Sequence, residues 1–431
     1  MRILQLTPGT GGTFYCQNCL RDGVLVRGLQ RQGCDVTVVP MYLPVLTDSE
    51  GLSEHRVPVF FGGINCYLQQ TSKFFQKTPR WLDRIFDSPW MLKQAAAREG
   101  TTRASDHGAM TYSMLQGRDG LQRKELERLL EWLATQERPD IVHVSTALLL
   151  GVAAEIRAAL GTPIVCTLQD EDQWVDALGP EWRDRCWNLI GDLGRETDAL
   201  VAVSNWYANQ MAARLRIPRK RIHVVPLGTE AEELDSAPKE EHPPTIGYLS
   251  RIHPDQGFEI LVDAFIRLKS DPRLKGLRLR ATGGVTPGDI EFVAAMRARL
   301  EKAGCGNDVE ILEDFTRNAR RDFLRSISVM SVPAPQGEAF GLFILEAGAC
   351  GVPVVQPDAG AFREVVESTG GGIVYDPTNP HALTEALRQV LLEPRLARTL
   401  GRAAHSVVRE RFTGDVMAER MLTVYKSVVT A

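Results

Sequence analysis

Ile3-Leu4-Gln5-Leu6-Thr7-Pro8-Gly9-Thr10-Gly11-Gly12 opens the chain with a short apolar run that breaks at once into Pro and Gly. A run of this length, bounded by Pro and Gly, reads as a buried strand ended by a tight, Gly-rich loop. It is too short for the apolar region of a secretory leader. A segment of helical period follows to about Gln32, and Gly33 stands where a left-handed cap would close that helix before the next β-branched run at 36–40. Strand, Gly-rich loop, helix and strand form the unit from which parallel sheets with crossover helices are built.

The same alternation continues outward. Strands are expected at 57–61, 141–144, 164–168, 200–203 and 222–225. The stretch 230–244 is polar and proline-bearing and reads as a linker. A second alternation then places strands at 245–249, 277–282, 309–312, 328–332, 353–356 and 372–375, with helical segments at 381–405 and 413–430 beyond the last. The expectation is an α/β chain of two parallel-sheet domains, 1–232 and 245–410, with a final helix over 411–431. Two such halves make a cleft, and ligands of these sheets bind at the carboxyl ends of the strands.

Composition sets the limits. The 431 residues are 44% hydrophobic and 24% charged, close to the globular average. Lys and Arg number 50 against 54 Asp and Glu, a net charge of −4, which excludes bulk attraction to nucleic acid. No stretch approaches the roughly 18 uninterrupted apolar residues of a spanning helix, so the reading is cytoplasmic, with the eight cysteines expected as reduced thiols. The segment 62–120 breaks the rhythm and carries Phe74, Phe75, Lys77, Arg80, Trp81, Arg84, Phe86, Trp90 and Lys93. An acceptor-binding cap, a patch for peripheral contact with the inner membrane face, or a small helical subdomain would each fit. Asp83 and Asp87 dilute the basic face and favour the subdomain.

Gly337-Glu338-Ala339-Phe340-Gly341-Leu342-Phe343-Ile344-Leu345-Glu346-Ala347 starts in a loop after a strand and runs into a helix. Glu338 and Glu346 are separated by a little over two helical turns, so they can engage two parts of one elongated ligand. Between them, the region of Gly341 offers backbone N–H groups at a helix N-terminus, which suits a phosphate. Glu at these places also arises by chance, but Glu346 lies in an apolar helix where an unpaired carboxylate is costly. Ser250-Arg251-Ile252-His253-Pro254-Asp255-Gln256-Gly257 follows the strand 245–249. Arg251 there can pair bidentately with a diphosphate, or merely form a surface ion pair.

Together these residues resemble the retaining, nucleotide-sugar-dependent glycosyltransferases of the GT-B group with the E-x7-E signature (family 4-like). The resemblance includes the Gly-rich first loop, Asp140-Ile141-Val142-His143, the run from Val203-Ser204 to Pro226-Leu227-Gly228, and Ala349-Cys350-Gly351-Val352-Pro353-Val354-Val355. It implies two facing Rossmann-like domains and a C-terminal helix crossing back to the first. It further implies that Glu346 holds the donor ribose and Glu338 the transferred sugar. Phe340, Gly341 and Leu342 would offer N–H groups, Arg251 would neutralise the leaving diphosphate, and Gly11 and Gly12 would close over it. The implied partners are a nucleoside diphosphate sugar as substrate and a sugar or glycoconjugate acceptor, with no cofactor and no metal.

Three positions depart from the group's pattern. Gln256 replaces a Lys, Ser145 replaces a His two residues after His143, and Gln169 replaces a His. A charge-assisted hydrogen bond contributes roughly 1.5–3 kcal/mol, so the loss at Gln256 would be felt unless compensated. Gln169-Asp170-Glu171-Asp172 sets three carboxylates at a strand's carboxyl end, where Glu171 and Asp172 could assist proton removal or simply be solvated. His143, Ser145, Gln169 and Asp170 are expected on the acceptor side, although a core histidine at a strand end is an equal reading of His143. Cys16-x2-Cys19 is half a metal site at most, to which Cys66 could add a third ligand, or a redox pair; packing near the Gly-rich loop is the favoured reading. Two rival functions keep the fold: a nucleotide-sugar epimerase using the carboxylates at 170–172 as bases, and a donor-binding protein with weakened catalysis.

Overall fold

The computed structural model describes residues 1–9, 14–42, 60–61, 70, 107–231 and 242–430. Most of the segment 62–120, residues 57–59 of the strand expected at 57–61, and Gly11 and Gly12 lie outside the described residues. Phe60 and Phe61, the last two of that expected strand, are not in a strand, and Phe61 has a left-handed φ of +55°. The chain divides into two compact units. The first comprises Met1–Gly12, Asn18–Pro226 and Met417–Ala431; the second comprises Thr13–Gln17 and Leu227–Val416.

The first unit is built on a sheet of β1 (Arg2–Thr7), β2 (Asp35–Pro40), β3 (Ile141–Val144), β4 (Ile164–Leu168), β5 (Ala199–Ala202) and β6 (Ile222–Val224). The spatial order is β2-β1-β3-β4-β5-β6, and every pairing is parallel. β3 and β4 are buried along their whole length. Strands covered on both faces need continuous apolar runs rather than alternation, which is why short β-branched stretches sufficed to place them. Each fully buried Ile, Leu or Val contributes roughly 1.5–3 kcal/mol. The first helix, Gln17–Arg31, ends as expected before Gly33, whose φ of +79° is open to glycine at little cost.

In the second unit β7 (Thr245–Leu249), β8 (Arg278–Thr282), β9 (Val309–Ile311), β10 (Val329–Met330), β11 (Val354–Pro357) and β12 (Gly372–Tyr375) pair in the order β12-β11-β10-β7-β8-β9. All are parallel. Both units are thus doubly wound α/β layers, the architecture of the GT-B fold. Strand order reverses between β7 and β10, so the loops leaving these two strands diverge around a crevice, the place where such sheets bind ligands. The two loops meet backbone to backbone. Gly257 has φ +71°, and a Cβ there would fall 2.0 Å from the Pro333 carbonyl oxygen, which leaves only glycine.

The helical segment expected at 381–405 is two helices, Ala382–Leu392 and Pro394–Arg411, divided at Glu393 where Pro394 starts a new first turn. The last helix, Gly414–Val429, lays Met421 and Tyr425 into buried positions, and its residues from Met417 belong to the first unit. Among the described residues no helix is long and apolar enough to cross a membrane.

Candidate active site

β7 and β10 deliver the two sequence-predicted elements to the switch point of the second sheet. Glu338 is 6% exposed in the loop after β10, and Glu346 is 3% exposed in the helix Leu342–Ala349. That helix starts from Gly341 at φ +92°, so the turn can bring the Leu342 N–H to the helix mouth without a Cβ in the way.

A buried carboxylate needs partners, and Glu346 has two. Arg320, from the helix Arg317–Arg325, donates Nε to Glu346 Oε1 at 3.2 Å and Nη1 to the Phe315 carbonyl at 2.9 Å. Tyr15 Oη donates to Glu346 Oε2 at 2.6 Å, and Arg320 lies 5.7 Å from the Tyr15 ring centroid. Burial first, then the Glu346 charge, holds the Tyr15 phenol well above its ordinary pKa, so it is a proton donor at neutral pH. Gln17 donates Nε2 to Glu338 Oε2 at 2.9 Å and accepts the Leu342 N–H on Oε1 at 2.6 Å. The Tyr15 N–H is fixed on the Gly283 carbonyl at 2.8 Å, just past β8. All of these residues belong to the second unit.

Arg251 leaves β7 with its guanidinium already oriented. Nε and Nη2 reach the two carboxylate oxygens of Asp289 at 2.8 and 3.0 Å, and Nη2 also reaches Thr286 Oγ1 at 3.0 Å. Burial pushes the Asp289 carboxyl up, but hydrogen bonds from Arg251 and Thr286, with the Arg251 charge, hold it below the ordinary carboxylate range. Among the described residues Nη1 makes no hydrogen bond, and the side chain is 28% exposed, so one edge of a pre-aimed cation remains available. Gln256 accepts from Ser250 Oγ at 3.1 Å, tying it to the same loop.

In the first unit most of the expected acceptor-side and catalytic residues are tied into the fold by hydrogen bonds. Glu171 is 1% exposed and accepts from Thr146 Oγ1, Ala147 N, Gln169 N and Tyr207 Oη at 2.7–3.0 Å. Four donors on one carboxylate cross-link the loops after β3 and β4; they leave it no freedom to act as a base. Asp172 shares the Tyr207 hydroxyl at 2.9 Å, and Asp170 takes a left-handed φ of +53° before the short helix Glu171–Val175. Ser145 is fully buried, and its carbonyl accepts from Arg21 Nη2 at 3.1 Å and Gln169 Nε2 at 3.0 Å.

His143 is a core histidine. It is fully buried, with Nε2 2.7 Å from Thr167 Oγ1 and Nδ1 2.8 Å from Tyr425 Oη. Burial, with the Arg21 charge second, pulls its pKa down to about 3. The folded state therefore refuses a proton that the unfolded chain takes up below its ordinary value of 6.5. This contribution to stability is intact above pH 6.5 and declines at about 1.4 kcal/mol per pH unit as pH falls toward 3. His143→Gln should flatten the profile of unfolding free energy by about 2 kcal/mol between pH 6.5 and pH 5. Superimposable wild-type and variant slopes would refute the neutral, buried assignment.

Cys16 and Cys19 are disulfide-bonded, against the expectation of reduced thiols; Cys34, Cys166, Cys186, Cys305 and Cys350 are not in disulfides.

Comparison with known families assigns the chain itself. The model of the glycosyl transferases group 1 matches residues 230–407, and that of glycosyltransferase family 4 matches residues 111–233. The chain is a family 4-like glycosyltransferase. A D-inositol 3-phosphate glycosyltransferase from Jonesia denitrificans is 26% identical over 71% of this chain and 74% of its own length. Another from Xylanimonas cellulosilytica is 30% identical over 53% of this chain and 57% of its own. Among solved structures, sucrose-phosphate synthase from Thermosynechococcus elongatus gives a TM-score of 0.71 at 17% identity, covering 100% of this chain and 99% of that one. The Anabaena protein HepE, in complex with UDP and glucose, gives 0.70 at 18% identity, covering 99% of this chain and 100% of that one. These likenesses show the fold.

Sequence reasoning did not single out four residues that bond to the candidate side chains: Tyr15, Gln17, Arg320 and Asp289. Arg320 lies in Arg317-Asn318-Ala319-Arg320-Arg321-Asp322, where every polar residue looks solvated. The signal available was the demand of Glu346 for a buried cation.

Proposed function

We propose that this glycosyltransferase moves a sugar from a nucleoside diphosphate sugar to an acceptor hydroxyl with retention of anomeric configuration. The observation that carries the reading is the gathering of Arg251, Glu338, the Leu342 N–H and Glu346 at the switch point of one sheet. The structural neighbour HepE is in complex with UDP and glucose, which supports a nucleoside diphosphate as the held group.

The donor ribose hydroxyls are assigned to Glu346, kept in place by Arg320, and the hydroxyls of the transferred sugar to Glu338. The diphosphate is assigned to the helix mouth at Phe340, Gly341 and Leu342 and to the free edge of Arg251, with Gln256 in the same loop as Arg251. In the reaction the bond from C1 to the diphosphate oxygen breaks, and the acceptor oxygen bonds C1 on the same face. The acceptor's proton passes to the departing phosphate oxygen. No strong side-chain base is needed, in keeping with the structural commitments of Glu171 and Asp172. Fixed donors aimed at the developing phosphate charge lower the barrier because they need no reorganisation as it forms. No metal or cofactor is assigned a role.

The test is calorimetry and nucleotide release with a panel of nucleoside diphosphate sugars, with and without acceptors that include simple sugars and inositol phosphates. Tight binding with acceptor-dependent release is the expected result. Solvent deuterium entering the sugar without an acceptor would overturn it in favour of epimerisation.

A further inference from the structure

Three of the groups assigned to the donor, Glu346, Glu338 and the Leu342 N–H, already have partners in one short stretch of the chain itself. Phe14 lies with its ring centroid 5.8 Å from the Arg251 guanidinium carbon. The next residue, Tyr15, presents a hydroxyl to Glu346 at 2.6 Å. Gln17 presents an N–H to Glu338 at 2.9 Å and a carbonyl oxygen to the Leu342 N–H at 2.6 Å. Each contact has the polarity of a piece of a nucleotide sugar. A hydroxyl on Glu346 copies a ribose hydroxyl, a donor on Glu338 copies a sugar hydroxyl, and an oxygen on a helix N-terminal amide copies a phosphate oxygen. A ligand making the assigned contacts would need the same carboxylate oxygens and the same N–H.

We propose that residues 14–17 form an internal strap that occupies the donor subsites of the unliganded enzyme and must withdraw before a nucleotide sugar can bind. The proposal rests on the donor assignment above and adds a regulation of that site. Affinity is then set by competition: the apparent Kd equals the intrinsic Kd divided by the fraction of molecules with the strap withdrawn. Loosening the strap tightens donor binding. If Tyr15 and Gln17 were instead ligands of the donor, removing their polar groups would weaken it, so the two roles differ in sign.

The experiment is calorimetric titration of the full chain with UDP and UDP-glucose, comparing wild type with Tyr15→Phe, Gln17→Ala and the double variant. Each single variant is expected to lower the apparent Kd about tenfold, on the order of one net hydrogen bond. The double variant is expected to lower it by more than either alone. Hydrogen exchange at the Tyr15 amide, now held on the Gly283 carbonyl, should accelerate on saturation with UDP. Weaker or unchanged binding in the variants, or an amide equally protected with UDP bound, overturns the strap and leaves the donor assignment standing. Failure of wild type and double variant alike to bind any nucleoside diphosphate sugar removes the donor assignment and the strap with it.

Discussion

Glu346→Ala is expected to weaken binding of the nucleoside diphosphate sugar by at least about a hundredfold and to lower kcat/KM in proportion. Two hydrogen bonds from a ribose to a carboxylate are worth roughly 1.5–3 kcal/mol each, and every 1.4 kcal/mol is a factor of ten. The substitution also removes the partner of Arg320, which is only 6% exposed at its side chain. Breaking a buried ion pair costs about 3–5 kcal/mol through the charge left behind. Thermal unfolding must therefore accompany the binding measurement, and Glu346→Gln supplies the control, since it keeps the shape and one hydrogen-bonding oxygen. A folded Glu346→Gln variant with wild-type donor affinity would remove Glu346 from the site.

Arg251→Ala is expected to act on the chemical step. Its free edge is aimed where charge develops on the departing diphosphate, and loss of one such pre-aimed donor typically lowers kcat by about 10²–10³. Donor Kd should change far less, because an interaction that strengthens in the transition state is only partly present in the ground state. Asp289→Asn offers a graded comparison. The guanidinium remains, but the bidentate clamp on Nε and Nη2 is weakened, so kcat should fall by less. An unchanged kcat in Arg251→Ala would reduce Arg251 to a structural ion pair.

What could be read in the sequence followed from local pattern. Apolar runs buried along their whole length gave β3, β4 and β7 at the bounds the structure shows, and the half-buried edge strand β12 was also placed at its bounds. β10 was expected at five residues and is two, Val329–Met330, because ladder pairing rather than hydrophobicity sets where a strand ends. Glu338 and Glu346 stood out because carboxylates are rare in an apolar helix and its lead-in. Tyr15, Gln17 and Arg320 did not, since their partners lie 331, 321 and 26 residues away. The acidic cluster at 170–172 shows the limit from the other side. A carboxylate-rich loop at a strand end looks like a site, and nothing local reveals that Tyr207 and two backbone N–H groups will enclose Glu171.

The first unit is discontinuous: its sheet is drawn from residues 2–224, yet residues 417–430 also belong to it. Tyr425, which caps the buried ring of His143, emerges from the ribosome only after all twelve strands. During synthesis the early sheet must wait with part of its apolar face uncovered, while residues 227–416 can assemble in the interval. The usual order, in which the N-terminal domain is finished first, is thereby inverted: the first unit cannot be completed until residues 417–430 have been made.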